Sequence, residues 1–266
     1  MKAEGNRTWF GSALFVALVL GLVGLLVLVA RWPAAAQAPA PTDLPPRVVA
    51  VAPAEDAVSV DPSLTEISVT FDQPMTDGGW SWMILQACGL YPGQQGGPPP
   101  RYDAERKTCT LPVKLEAGKV YAVGVNSFRH NGFRSASGKV AVNHGWAFAT
   151  GPLPPEALPP RAVKVEPDNG ASDVDYRLTG IKATFNRPMK PGSWSWVYQN
   201  NSGVYPGYQG SPPPQFDEAG LVCSLSVKLS PNTVYAISLN SYRHTGFQDA
   251  AGKPALPYGW TFKTKP

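Results

Sequence analysis

The chain contains the same sequence unit twice. Positions 47–150 and 161–264 align without a gap at a constant offset of 114, and about half of the 104 aligned positions are identical. Whole motifs recur: Trp80-Ser-Trp82 matches Trp194-Ser-Trp196, and Asn126-Ser-Phe-Arg-His130 matches Asn240-Ser-Tyr-Arg-His244. Such a repeat predicts two domains of one fold, each long enough to bury a core of its own.

Hydrophobic residues inside each repeat follow a period of two. Ile67, Val69 and Phe71 alternate with Glu66, Ser68 and Thr70, and the second repeat shows the same pattern. The same alternation covers the segments 109–115, 121–125, 223–229 and 235–239. Strict alternation marks half-buried strands, and no window has the pattern of an amphipathic helix. With 26 Gly and 29 Pro available for turns, the pattern predicts an all-β fold of two tandem sandwiches.

The N-terminus carries a membrane signal. Residues 9–30 include no charged side chain, and as a helix they would extend about 33 Å, enough to cross a bilayer. Lys2 and Arg7 precede this run, which favours a cytoplasmic N-terminus and an extracytoplasmic body. We therefore predict a transmembrane anchor with exported domains. The alternative is a signal peptide cleaved after Ala34-Ala35-Ala36, which would leave a secreted protein.

These features divide the chain into five parts. They are an anchor or signal segment (1–32), a Pro/Ala-rich linker (33–46), the first domain (47–150), a Pro-rich linker (151–160) and the second domain (161–264). The composition of both linkers predicts extended, fairly stiff spacers.

The charge balance excludes some function classes. The chain has 23 Lys+Arg against 19 Asp+Glu, so its net charge is only +4, and no basic cluster stands out. This argues against a nucleic-acid partner. The hydrophobic content of 43% argues against a disordered chain.

The repeats resemble the bacterial Ig-like domain of the S-layer-protein type. The matching features of the first repeat are Pro53…Val60, Phe71-x-x-Pro-Met75, Leu115…Gly118-Lys-Val-Tyr121 and Gly138…Phe148-x-Thr150. Their counterparts are Pro167…Val174, Phe185-x-x-Pro-Met189, Leu229…Tyr235 and Gly252…Phe262-x-Thr264. The resemblance implies an extracellular sandwich that spaces or presents something, and it implies no catalysis. The Trp-x-Trp pair and the Pro-rich loop after it are additions to the family's minimal pattern.

Cysteines and histidines suggest no metal or cofactor. Cys109 and Cys223 are equivalent and sit on the apolar side of a strand, so they are expected to fill the cores. A Cys88–Cys109 disulfide is the alternative in an exported protein. Neither His130, His144 nor His244 belongs to a set with zinc-ligand spacing, and no dense acidic loop predicts calcium.

Aromatic and polar residues form one candidate set in each repeat. If the sandwich brings them together, they could bind a cell-wall glycan or a Pro-rich peptide, because Trp rings stack on sugars while amides and guanidinium groups bond their polar groups. The competing interpretation is structural packing of the same rings. The candidate ligand-binding residues are Trp80, Trp82, Tyr91, Asn126, Arg129, His130, Trp194, Trp196, Tyr205, Asn240, Arg243 and His244. A wider set adds Tyr102, Phe133, Trp146, Phe216, Phe247 and Trp260.

Three functions follow, in order of preference. The first is a structural or interaction module of the cell envelope, with an envelope protein as its partner. The second is a glycan or cell-wall binding protein that uses the Trp-x-Trp faces. The third, a hydrolase, would need Ser127 close to His130 with a carboxylate behind the histidine. No nucleophile elbow surrounds these serines, so no catalytic residue is assigned.

Overall fold

The computed structural model describes residues 43–199 and 201–266. The predicted anchor or signal segment, 1–32, and positions 33–42 of the predicted linker lie outside the described residues. Within the part that is described, no helix combines the length and the hydrophobicity that a membrane span requires.

Each repeat folds into seven strands. The first repeat forms β1 (Val48–Ala52), β2 (Glu66–Phe71), β3 (Trp82–Ile84), β4 (Arg101–Tyr102), β5 (Thr108–Pro112), β6 (Val120–Val125) and β7 (His144–Ala149). The second repeat forms β8 (Ala162–Glu166), β9 (Gly180–Phe185), β10 (Trp196–Tyr198), β11 (Gln215–Phe216), β12 (Val222–Ser226), β13 (Val234–Leu239) and β14 (Tyr258–Lys263). The prediction of an all-β body is confirmed.

The strands of each repeat make two facing sheets. One sheet has the order β1-β2-β5-β4, and its counterpart in the second repeat has the order β11-β12-β9-β8. The facing sheet places β6 between β3 and β7, and β13 between β10 and β14. This four-plus-three arrangement is that of an Ig-like sandwich. The prediction of two tandem Ig-like sandwiches is therefore confirmed.

The predicted inward faces form the two cores. Ile67, Val69 and Phe71 on β2 are almost completely buried, and Cys109 packs in the same cluster. Phe185 occupies the equivalent place in the second core. Alternation along the strands thus places one face of each sheet in the core, as period two requires.

The two repeats share one continuous sheet. Its order is β10-β13-β14-β7-β6-β3, and β7 pairs with β14 in antiparallel orientation where His144 lies opposite Tyr258. Gly145 N–H donates to Pro257 O over 2.7 Å, and Gly259 N–H donates to Asn143 O over 2.6 Å. His144 and Tyr258 are equivalent positions, and so are the two donors and the two acceptors. The joint therefore has local two-fold symmetry, like the isologous interface of a homodimer.

Glycine is required on both sides of this joint. A Cβ added at Gly259 would lie 2.3 Å from Asn143 O, and one added at Gly145 would lie 2.9 Å from Pro257 Cδ, in each case across the joint. Because neither position has room for a side chain, the small residues allow the two strands to approach closely.

Other contacts across the joint also come in equivalent pairs. Cys88 Sγ lies 3.8 Å from Pro254 O, and Ser202 Oγ donates to Val140 O over 3.2 Å. Cys88 and Ser202 are equivalent positions, as are Pro254 and Val140. The symmetry thus extends beyond the paired strands into the flanking loops.

A cluster of charges connects the repeats on another side of the joint. Arg161, at the start of the second repeat, lies 3.0 Å from Glu55 and 2.5 Å from Asp56 of the first. Glu55 also lies 3.0 Å from His144 Nε2. Burial alone would raise the pKa of Glu55, but His144 and Arg161 outweigh it, so the pKa falls below its ordinary value of 4.5.

The linkers differ from the predicted spacers. Residues 155–157 form a short 3-10 turn, and the following Leu158 is buried beside Met83, Ala147 and Leu256. Leu44, from the end of the first linker, is also buried. The prolines stiffen both linkers. The linker leucines can nevertheless cover apolar sheet surface, because small side chains such as Ala122, Ala147 and Ala149 leave room beside Leu158. The described residues, 43–199 and 201–266, consequently lie within one compact unit.

Candidate functional site

The predicted site residues fall in three kinds of place: two clefts, two buried turns and the edge of the second core. Trp80, Trp82, Tyr91 and His130 line a first cleft, and Arg129, Trp196, Arg243 and His244 line a second. Asn126 and Asn240 lie in buried turns, while Trp194 and Tyr205 pack against the second core. The structure therefore keeps eight of the twelve candidates at open surfaces.

The two asparagines hold the backbone instead of facing a ligand. Asn126 has φ +54°, its Oδ1 accepts from Phe133 N–H over 3.0 Å, and its Nδ2 donates to Phe133 O and Ala141 O. Asn240 makes the equivalent three bonds. Asparagine tolerates the left-handed conformation well, and each of these amides has its acceptor and both donors occupied. The prediction that Asn126 and Asn240 contact a ligand is corrected accordingly.

The Trp-x-Trp pairs do not form an exposed flat platform. Trp80 and Trp82 do lie on one face, as their spacing predicts, but both pack against the first core. The Trp82 ring lies 5.5 Å from Phe133 in an edge-on contact. Its buried indole N–H has no oxygen or nitrogen acceptor and faces the Cys109 thiol. Both rings therefore take part in core packing, and only part of each ring surface is open.

The wider aromatic set belongs to the cores. Phe133, Trp146, Phe247 and Trp260 are fully buried. Tyr102 and Phe216 pack against the cores at the short strands β4 and β11, and Tyr102 Oη donates to Gly79 O over 3.0 Å. These six residues are structural.

The first cleft has a volume of about 730 Å³ and lies along strand β3. The cleft walls come from Trp80, Trp82, Tyr91, the prolines at 98–100, and His130. Tyr242 of the second repeat completes one wall. Its lining carries no Arg, Lys, Asp or Glu among the described residues, so its chemistry is aromatic and neutral-polar. Partial burial raises the pKa of Tyr91, so this phenol stays protonated at neutral pH.

The second cleft has a volume of about 480 Å³ and lies along strand β10. Trp196, Tyr198, Arg243 and His244 belong to the second repeat. Phe128 and Arg129 reach this cleft from the first repeat. Arg129 therefore lies away from the tryptophans of its own repeat, beside those of the other.

In each repeat, one glycine holds the loop that carries His130 or His244 against the edge strand, β3 or β10. A Cβ at Gly132 would lie 2.4 Å from Trp80 O, and Gly132 N–H donates to Ser81 Oγ over 2.8 Å. Gly246 makes the same bond to Ser195 Oγ over 2.9 Å. This close approach brings His130 to the first cleft and His244 to the second.

The Ser-x-x-His pairs are parts of turns. Ser127 Oγ lies 3.4 Å from His130 Nδ1, and Ser241 Oγ lies 3.2 Å from His244 Nδ1. Each hydroxyl also accepts the backbone N–H of its own histidine over 3.0 Å. Within residues 43–199 and 201–266, neither histidine forms an ion pair with a carboxylate. The described residues thus do not assemble the triad that a hydrolase of this kind needs.

All three cysteines are free. Cys109 and Cys223 are completely buried in the two cores, which confirms their predicted packing role. Burial raises the pKa of Cys109 and of Cys223 to about 12. Cys88 lies at the joint instead of beside Cys109, so the alternative of a disulfide is not realised. Across the described part of the chain, no group of three or more His, Cys, Asp or Glu is placed to hold a metal ion.

Four residues of the clefts escaped the sequence analysis. Phe128 and Tyr242 are equivalent residues that each reach into the other repeat's cleft, and Ile84 and Tyr198 are equivalent exposed residues of the edge strands. Their identities differ between the repeats, so a match of identical residues does not single them out. A search for exposed hydrophobic residues at outward strand positions could have found Ile84 and Tyr198.

The chain resembles known Ig-like domains. The profile of a family described as bacterial Ig-like domain matches residues 42–150 and again residues 156–264. Comparison with curated proteins gave no match.

Comparison with solved structures gave matches at low sequence identity. Domains 1–6 of surface layer protein SbsC show 12% identity over 84% of this chain and 41% of that chain, with a TM-score of 0.28. SGBP-B from a complex xyloglucan utilization locus in Bacteroides uniformis shows 11% identity over 81% and 49%, with a TM-score of 0.21. The adhesin InvE of Yersinia pseudotuberculosis shows 14% identity over 82% and 58%, with a TM-score of 0.20. The chain thus spans about two fifths of the SbsC structure, and at these TM-scores none of the likenesses says what the chain binds.

Proposed function

The chain belongs to the bacterial Ig-like domain family, and we propose that it is an exported, membrane-tethered interaction module of the cell envelope. The observation that carries this proposal is the joint between the repeats. It merges two sandwiches into one compact unit, while both edge strands of the shared sheet keep an open cleft. Such a body is suited to presenting binding surfaces outside the cell.

The N-terminal sequence supports the tether. An uncharged run of 22 residues at 9–30 follows Lys2 and Arg7, which favours an anchored protein with its body outside the cytoplasm. A secreted form, released by cleavage after Ala36, is the competing outcome.

Fractionation of cells that express the full chain tests the tether. We expect the protein in the membrane fraction after alkaline extraction, with its body digested by protease added from outside. Deletion of residues 9–30 should move it to the soluble fraction. The intact mass of the purified protein separates an anchor from a cleaved signal, because cleavage after Ala36 would remove 36 residues. An undigested protein in the cytoplasmic fraction would overturn the proposal.

The first cleft favours a second candidate, glycan binding. The open parts of Trp80 and Tyr91 lie in one uncharged cleft with three prolines and His130. Aromatic faces bind the apolar faces of sugar rings, and the histidine can bond a hydroxyl. The cleft volume of about 730 Å³ is large enough for an oligosaccharide of a few rings.

A pull-down on insoluble cell-wall and polysaccharide preparations tests this candidate. Ile84 lines the cleft and is 58% exposed, and Leu90 is 51% exposed outside it, so Ile84→Ser and Leu90→Ser form a matched pair. We expect Ile84→Ser and Trp80→Ala to weaken binding and Leu90→Ser to leave it unchanged, with folding verified by circular dichroism. Equal binding by all variants would remove the first cleft from consideration.

A further inference from the structure

Two equivalent loops from the two repeats converge on the second cleft. The Ser-Phe-Arg-His loop at 127–130 supplies Phe128 and Arg129, and the Ser-Tyr-Arg-His loop at 241–244 supplies Arg243 and His244. Strand β10 closes the cleft with Trp196 and Tyr198. The cleft therefore exists only when both repeats are joined.

The charge of this cleft has one sign. Its lining contains two arginines and no carboxylate, and both arginines are exposed. Among the described residues neither guanidinium is in an ion pair, whereas Arg47, Arg101, Arg161 and Arg187 each have a carboxylate within 4 Å. Unpaired guanidinium groups in one concave surface favour an anion, because each can bind a carboxylate through two parallel hydrogen bonds.

Exposed aromatic rings stand beside these charges. Phe128 is 57% exposed and Tyr198 is 44% exposed, so both offer ring surface to solvent. Tyr198 is held by an edge-on contact with Tyr205 at 6.3 Å. The Arg243 guanidinium lies 5.2 Å from the centre of the Tyr242 ring, which restricts its position. The cleft thus offers flat apolar surface and positive charge together.

The equivalent cleft of the first repeat lacks this combination. Its lining has no Arg, Lys, Asp or Glu among the described residues, and Ile84 stands where the second repeat has Tyr198. Because Arg129 points away from its own repeat, both arginines contribute to the second cleft. The difference assigns the anionic ligand to that cleft alone.

We propose that the second cleft binds a carboxylated polysaccharide. The carboxylates of successive sugar units would contact Arg129 and Arg243, and a sugar ring would lie against Phe128 or Tyr198. This inference rests on the glycan-binding candidate above and adds the charge of the polymer and a binding surface that needs both repeats. Charge complementarity and exposed rings favour this ligand over a neutral glycan, which would leave the guanidinium groups unused.

Three polymers test the proposal with the full chain purified in detergent. Alginate carries a carboxylate on every sugar, dextran has sugars without charge, and poly-L-glutamate has carboxylates without sugars. We expect alginate to bind at least about tenfold more tightly than the other two, and more weakly as salt increases. Equal binding to poly-L-glutamate would show recognition of charge alone, and equal binding to dextran would show that the arginines do not matter. Either result would overturn the proposal.

Single substitutions locate the site. Arg129→Gln and Arg243→Gln should each weaken alginate binding about tenfold, as expected for loss of one charge-assisted contact. Arg177→Gln is the matched control, because Arg177 also lies 5.2 Å from a tyrosine ring, that of Tyr176, and is exposed outside the cleft. Loss of binding in Arg177→Gln equal to that in the cleft variants would overturn the proposal.

The pull-down on wall preparations distinguishes a failure of the anionic-ligand proposal from a failure of the glycan-binding candidate. Binding to wall preparations without binding to alginate would keep glycan recognition and refute the anionic ligand. Binding to neither would refute both, and the proposal of an envelope interaction module would then depend on a protein partner.

Discussion

Single buried side chains contribute much of the stability of each sandwich, and Phe71 is the clearest case. Its ring is almost completely buried, with its centre 5.2 Å from that of Phe133, and Phe185 repeats the contact with Phe247 at 5.0 Å. The sequence assigned both rings to the core from alternation alone.

Phe71→Ala or Phe185→Ala should lower the free energy of unfolding by about 3–5 kcal/mol, because truncation removes buried surface and leaves a cavity. Urea unfolding followed by Trp fluorescence measures the loss. Val49→Ala, at a residue that is 56% exposed, is the control and should change stability little. A loss below about 1 kcal/mol in the Phe variants would contradict the observed packing.

A second prediction at the scale of single residues concerns Asn126. Replacement by Ala removes three buried hydrogen bonds and places an alanine at φ +54°, so we expect a cost of about 3 kcal/mol. Asn131→Ala is the matched control, since among the described residues its half-buried amide bonds only the Arg134 side chain. Similar unfolding midpoints for the two variants would show that the Asn126 bonds contribute nothing.

At the scale of elements, the pairing of β7 with β14 decides whether the chain has one folded unit or two. This contact involves few hydrogen bonds and depends on close approach at Gly145 and Gly259. Its strength should therefore respond sharply to a single added methyl group.

Gly259→Ala should open the joint at a cost of about 1–3 kcal/mol, because its Cβ would overlap a backbone carbonyl. Hydrogen exchange at the Gly145 amide and protease cleavage of residues 151–160 both report the opening. Gly180→Ala is the control, because the nearest described atom to its Cβ, apart from its chain neighbours, is Leu225 O at 3.7 Å. Unchanged exchange in Gly259→Ala would mean that the joint tolerates wider spacing.

The whole molecule should respond to pH through the charges at the joint. The pKa of Glu55 is lowered in the folded protein, so its contribution to stability is complete above about 4.5 and is lost as the pH falls through the lowered value. Tyr258 and Asp56 lie near the same cluster, but the contacts to His144 and Arg161 account for the lowering.

Glu55→Gln should therefore cost about 1 kcal/mol at neutral pH, a value typical of a partly exposed pair. The difference from the unmodified protein should shrink toward zero below the lowered pKa. Urea midpoints measured from pH 7 to pH 3 test this. Glu66→Gln, at an exposed pair with Arg101 away from the joint, shows how much of the change is general. A difference that grows as the pH falls below about 4.5 would contradict the assignment.

Much of the fold could be predicted from the sequence, because its signals are local. Alternation at residues such as Ile67 and Val123 identifies strands, and the constant offset shows that the fold occurs twice. The joint could not be predicted, because Gly145 and Ala147 look like ordinary strand residues until another surface packs on them. The second cleft was missed for a related reason: Arg129 and Trp196 belong to different repeats, and only the joint brings them together.

The local two-fold axis has a consequence for how this body can vary. In a dimer of identical chains, one mutation changes both halves, so two sites related by the axis must stay the same. Here the linker joins two non-identical copies, and each can change alone. Cys88 in the first repeat corresponds to Ser202 in the second, Ile84 corresponds to Tyr198, and His144 corresponds to Tyr258. Because the two copies are covalently joined, they can differ in sequence as the chains of a heterodimer do, and the symmetric scaffold can carry two different clefts. The two copies also need not select each other from a mixture of partners in order to assemble.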